Sequence, residues 1–240
     1  MRAREPAVLA YRFEEPAGAD RGDARFLRVR GLLEEAAEAV GEWVGLARPV
    51  PVAVRSCGGE GSSYDPEEQR VEICYEEVSE TRDLFRGTGR GRADEEVAAV
   101  LLETVLHETA HALVDVLALR VTGREEDFAD QFAALVLLDG SAVGERRLRA
   151  AAEAWRLSAR LTEDAGETDG KQAPDEHAPD HERAVNEYCY VYGSAPGRHD
   201  DLVGPDTLPA ERAPGCAEEW TDVRAAWLTA LGPAGRDPDA

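Results

Sequence analysis

Residues 95–120 read EEVAAVLLETVLHETAHALVDVLALR, and the histidines in this run decide how the rest of the chain is read. Val97, Leu101, Leu102, Val105, Leu106, Leu113, Val116 and Leu117 recur at helical spacing and make a wide apolar stripe. Asp94 stands where an N-cap belongs, with Glu95 and Glu96 in the first turn, where the helix dipole favours acids. Glu103, His107, His111 and Asp115 form a separate ladder at four-residue spacing. Residues four apart share one face of a helix, so both imidazoles can grip one metal ion. Glu108 follows the first histidine directly, within reach of a water on that ion. A metal lowers the water's pKa and the carboxylate takes its proton, which is hydrolytic zinc chemistry. Polar groups on so apolar a helix need partners, and a metal supplies one.

A hydrolytic zinc site takes three protein ligands and an open position. Beyond the helix break at Thr122-Gly123, residues 125–138 (EEDFADQFAALVLL) start a second helix. Glu126 and Asp130 lie one turn apart on one face, and a short glycine turn folds the two helices against each other. Glu126 is the expected third metal ligand, with Asp130 or Asp127 as substitutes. If Glu126 ligates, Asp130 can accept the free ring N–H of a ligand histidine. Asp115 is either a like partner of His111 or a capping acid, and Glu125 reads as an ordinary first-turn acid.

Outside this pair of helices, Ala7–Phe13 and Val50–Cys57 read as strands, as does Val71–Tyr75. The last two are expected to pair antiparallel, with an exposed edge near Val71–Tyr75 able to align a peptide by strand addition. Ala24–Leu46 reads as one amphipathic helix, and further helices are expected at Tyr75–Phe85, Glu145–Leu161, Glu182–Tyr192 and Ala217–Leu231. Tyr64-Asp65-Pro66-Glu67 is a tight turn and residues 86–92 (RGTGRGR) a glycine-rich linker. Residues 1–231 are expected to form a single domain, with an acidic flexible loop at 162–180 and a disordered tail at 232–240.

The 240 residues carry a formal net charge of −22, which argues against nucleic acid or an anionic membrane as partner. It reads as an acidic surface that aids solubility, with basic substrates steered by the field as the alternative, and a peptide or protein substrate is expected from the hydrolytic chemistry alone. No long uncharged apolar run announces a transmembrane helix. The oligomeric state is not legible. The cysteines fall in two close groups, Cys57 with Cys74 and Cys189 with Cys216, which suggests two disulfides. Disulfides imply a secreted or cell-envelope protein, whereas the lack of a signal peptide at the start implies a cytoplasmic one in which the cysteines are reduced core residues.

The segments HETAHALVD and GREEDFADQFAAL resemble gluzincin-type metallopeptidases, in which HExxH is followed by ExxxD. More narrowly, the chain resembles an uncharacterised bacterial metallopeptidase family along nearly all its length. The carrying residues are Cys57-Gly58, Tyr64-Asp65-Pro66, Cys74-Tyr75-Glu76, His107 to Asp115, Gly123 to Asp130, and the late set His177, Arg183, Asn186, Cys189, Tyr192 and Gly193. Gly61-Ser62-Ser63 stands where that family often has an asparagine, and the family's usual export signal is not seen. The resemblance implies an α+β zincin-like fold, with a small antiparallel sheet packed on a helical core and the HExxH helix at its centre. It implies a zinc-dependent peptidase in which Zn²⁺ is held by His107, His111 and Glu126 and Glu108 is the general base. His177 is the expected catalytic oxyanion group, with His181, Arg183, Tyr188 and Tyr190 in reserve; Arg183 also suits a structural ion pair, and His199 reads as surface. The rival readings are an inactive zincin that binds zinc as a protein-binding module, and a metal-free helical interaction protein.

Overall fold

The computed structural model of the protein describes residues 8–86, 93–164, 178–236 and 238. His177 and most of the glycine-rich stretch after Arg86 lie outside the described residues, as does the middle of the acidic segment 162–180.

The architecture is α+β. Strands β1 (Leu9–Phe13), β2 (Val50–Arg55), β3 (Ser63–Asp65) and β4 (Arg70–Cys74) form one sheet in the order β1-β2-β4-β3. The helices are α1 (Arg21–Arg30), α2 (Leu32–Trp43), α3 (Glu77–Phe85), α4 (Ala93–Val116), α5 (Glu125–Leu137), α6 (Ala142–Asp164), α7 (Asp180–Ser194) and α8 (Cys216–Leu231). The HExxH helix α4 packs against α2, α3, α5 and α6 and against the sheet through β3 and β4. By length and composition Asp94–Val116 could cross a membrane, but 67% of its apolar window is buried inside the protein, so its apolar residues are spent on the core.

The sheet is mixed rather than antiparallel. β2 pairs parallel with both β1 and β4, and only β3 and β4 are antiparallel. The expected β2–β4 hairpin fails because the Tyr64–Asp65 segment is itself a strand. It turns back through residues 66–69 to pair with β4, which then enters beside β2 in the parallel sense. β4 is therefore interior and the edge near the histidines is β3. The expected helix over 24–46 is two helices, since Gly31 adopts φ 66° and ends α1. The C-terminal order runs past Leu231: Gly232–Ala234 is a short 3₁₀ turn, and the Arg236 N–H donates to the Trp43 carbonyl at 2.7 Å.

Two disulfides, Cys57–Cys74 and Cys189–Cys216, close loops of 17 and 27 residues. The first ties the end of β2 to the end of β4. The second ties α7 to the start of α8, where the helices approach so closely that a Cβ on Gly193 would sit 2.1 Å from the Cys216 carbonyl oxygen. From α8, the fully buried Trp227 stacks on Phe128 of α5 at 3.9 Å and donates its indole N–H to the Phe128 carbonyl at 3.0 Å. Phe128 lies between Glu126 and Asp130, so α8 anchors the helix that faces the histidines. Trp227→Ala is expected to lower stability by about 3–5 kcal/mol, read from the denaturant midpoint; a loss under about 1 kcal/mol would contradict this anchoring role.

Candidate metal centre

His107 meets Glu126 and Asp130, whereas His111, one turn later on α4, meets Glu125 and Glu126. α4 and α5 therefore run antiparallel. His107 Nε2 lies 3.1 Å from Glu126 Oε2 and 3.2 Å from His111 Nε2, and His111 Nε2 lies 3.4 Å from Glu126 Oε1. The other nitrogen of each ring faces a carboxylate: His107 Nδ1 is 2.8 Å from Asp130 Oδ1, and His111 Nδ1 is 2.8 Å from Glu125 Oε1.

Those contacts set the tautomers. An ionised carboxylate only accepts, so each Nδ1 carries a hydrogen and donates it, which leaves Nε2 as the ring nitrogen a metal would take in place of a proton. The two Nε2 atoms and the Glu126 carboxylate converge on one point, where either ring protons or a bound cation balances the carboxylate. The spacings also suit an ion. Ligands about 2.1 Å from a tetrahedral centre stand about 3.4 Å apart, and the observed separations are 3.1, 3.2 and 3.4 Å. The donor set fits a divalent metal. Burial opposes charge on both histidines, but the hydrogen bonds from Asp130 and Glu126 to His107, and from Glu126 and Glu125 to His111, outweigh it and raise both pKa values. The site thus attracts positive charge from whatever source supplies it.

Two other groupings are weaker. Cys57, Cys74 and Glu76 lie together, but both sulfurs are in a disulfide and Glu76 accepts the Cys57 and Gly58 N–H groups. Glu103, His107 and Asp130 also converge, but the 2.8 Å His107–Asp130 contact is already a hydrogen bond.

Behind His107 the acidic partner is itself held. Arg183 of α7 donates Nε to Asp130 Oδ2 at 2.9 Å and Nη2 to Oδ1, and its guanidinium lies 3.6 Å over the Trp155 ring. Burial would raise the Asp130 pKa, but Arg183 and His107 bring it below the ordinary carboxylate range. Burial likewise pushes Glu187 well up, helped by Glu103.

Asp115 does not touch His111. It accepts hydrogen bonds from Tyr64 (2.6 Å) and Gln69 (3.1 Å), reaching toward the sheet edge. The carboxylate at His111 is Glu125, which first-turn statistics disguised as a dipole-favoured acid; only the α4–α5 turn geometry distinguishes it. Asp127 pairs with Arg124 instead, at 2.9 Å. Of the reserve groups, Tyr188 hydrogen-bonds Glu153 at 3.0 Å and Tyr190 is buried near Trp220. His199 is buried against Glu145 rather than at the surface, with 3.4 Å between Nε2 and the carboxylate.

Glu108 borders two cavities. One, of about 700 Å³, opens between α3, α4 and α6; the other, of about 650 Å³, opens between β3 and the α4–α5 pair. Ser62 and Glu108 line both, so the histidines stand where the two meet.

A helical core centred on HExxH, a small sheet at its side and a two-histidine, one-carboxylate cluster define a zincin-like protein. The chain belongs to the DUF4344 family, described as "putative metallopeptidase", whose profile matches residues 14–231. Neither a curated protein nor a solved structure matches it.

Asp130→Ala would leave Arg183 buried without its bidentate partner. The expected cost is about 3–5 kcal/mol in urea unfolding of the metal-free protein. A change below about 1 kcal/mol would contradict the buried ion pair.

Proposed function

We propose that this chain is a zinc-dependent peptidase in which His107, His111 and Glu126 hold the ion and Glu108 is the general base. The observation that carries the reading is the convergence of the three ligand groups at 3.1–3.4 Å with both Nδ1 atoms occupied by carboxylates. Two imidazoles and a carboxylate suit Zn²⁺. When bound, the ion polarises the scissile carbonyl and lowers the pKa of the attacking water. Asp130 and Glu125 keep both rings in the ligating tautomer. Glu108 takes the water's proton and passes it to the leaving amine. His177 is the proposed donor to the developing oxyanion. The edge strand β3, beside Glu108 and His111, is where an extended peptide would align.

The disulfides support an oxidising, extracytoplasmic setting. The net charge of −22 disfavours nucleic acid and anionic membrane as partners. The second reading, a zinc-stabilised binding module without catalysis, is disfavoured by Glu108, which borders the open cleft where such a module has no use for a base.

Metal analysis should return about one zinc per chain, lost in the His107→Ala/His111→Ala double variant. Glu108→Gln should keep zinc and lower peptide-cleaving kcat/KM by about 10²–10⁴-fold. Absence of zinc in the wild type would overturn the site, and unchanged cleavage by Glu108→Gln would overturn the mechanism.

A further inference from the structure

The cavity between α3, α4 and α6 touches the candidate centre directly, since His107 and Glu108 lie in its wall. Its charged lining is mostly of one sign. Glu77, Glu80, Asp83, Glu103 and Glu108 border it, and the cation among the described lining residues, Arg183, is already paired with Asp130. Leu84, Val100, Ala154 and Trp155 give it apolar walls, interspersed with neutral serine and threonine side chains. One acid stands apart. Glu103 is only 2% exposed, lies one turn before His107, and its Oε1 has no hydrogen-bond partner. A buried carboxylate oxygen left unpaired costs free energy that an arriving donor recovers. The companion cavity is acidic as well, with Glu108, Asp115, Glu125 and Glu126 in its lining.

We propose that the α3–α4–α6 cavity is a specificity pocket for a basic side chain, arginine or lysine, borne by the peptide beside the scissile bond. The proposal deepens the peptidase reading and rests on it. A long basic side chain carries an apolar stem and a charged head. The stem packs between Leu84, Val100, Ala154 and Trp155, and the head meets Glu103 in a charge-assisted hydrogen bond. Glu80 and Asp83 on α3 add attraction from the pocket wall. An acidic side chain would meet five carboxylates there and be rejected.

The test uses the zinc-loaded full chain and a set of otherwise uncharged peptides, each with one arginine, lysine, citrulline or norleucine. The kcat/KM for the basic peptides is expected to exceed that for norleucine and citrulline by about tenfold or more. Glu103→Gln should bring that ratio close to one. Glu80→Lys, a surface change that does not disturb the core, should at least halve it; it decides the matter by itself if Glu103→Gln does not fold. In parallel, zinc-loaded Glu108→Gln is titrated with the same labelled peptides, and the basic ones should bind with the lower Kd by a similar factor. Cleavage without preference for the basic peptides, or a preference that survives both substitutions, overturns the pocket and leaves hydrolysis standing. Failure to cleave any peptide sinks hydrolysis instead, and the titration then decides the pocket: equal Kd values overturn it.

Discussion

Asp130 faces two ways at once. Oδ1 takes the Nδ1–H of His107 at 2.8 Å, and both of its oxygens are engaged by Arg183. One carboxylate therefore fixes the tautomer of the first histidine and neutralises a guanidinium that burial would otherwise penalise. Remove either contact and the other is left exposed to the low-dielectric interior, where an unpaired charge costs most. Because Asp130 is on α5, Arg183 on α7 and His107 on α4, this chain of contacts crosses the helical core. The Trp227–Phe128 stack and the Cys189–Cys216 disulfide brace two of its members, one from α8 onto α5 and the other from α8 onto α7.

Much of the centre is legible in the sequence because it is written in helical periodicity. Four-residue spacing places His107 over His111, and Glu126 over Asp130, whatever the rest of the chain does. A short turn then brings the two faces together. What periodicity cannot read is which of several neighbouring acids meets which ring nitrogen. The sequence leaves Asp115 open between a partner of His111 and a capping acid and reads Glu125 as a first-turn acid. In the fold His111 Nδ1 meets Glu125 in the first turn of α5, while the short Asp115 side chain accepts from Tyr64 on β3 and from Gln69. The sheet was harder still. A three-residue strand such as Ser63–Asp65 carries too few alternations to be told from a turn, and missing it reversed the relation of β2 to β4. The cysteine pairing needed only proximity along the chain, and both pairs are bonded in the fold. Gly31 hid a helix break inside an uninterrupted apolar pattern, since one left-handed residue changes direction without changing periodicity.

The acidity of the chain has two origins. Most of it is spread over the surface, where charge of one sign favours solubility. The remainder is concentrated around the histidines, in the ligand helix and in the two cavities that meet at Glu108. The same carboxylates that favour a divalent cation at the centre favour a cationic side chain beside it, so metal binding and substrate choice draw on one electrostatic field.

The account stands on a single metal at the convergence of His107, His111 and Glu126. An anomalous-difference map recorded at the zinc edge on crystals of the zinc-loaded protein tests that most directly. It should show one strong peak about 2.0–2.2 Å from both Nε2 atoms and from a Glu126 carboxylate oxygen. An empty map at that point, or a peak held by Glu103 and Asp130 with His111 left out, would contradict it.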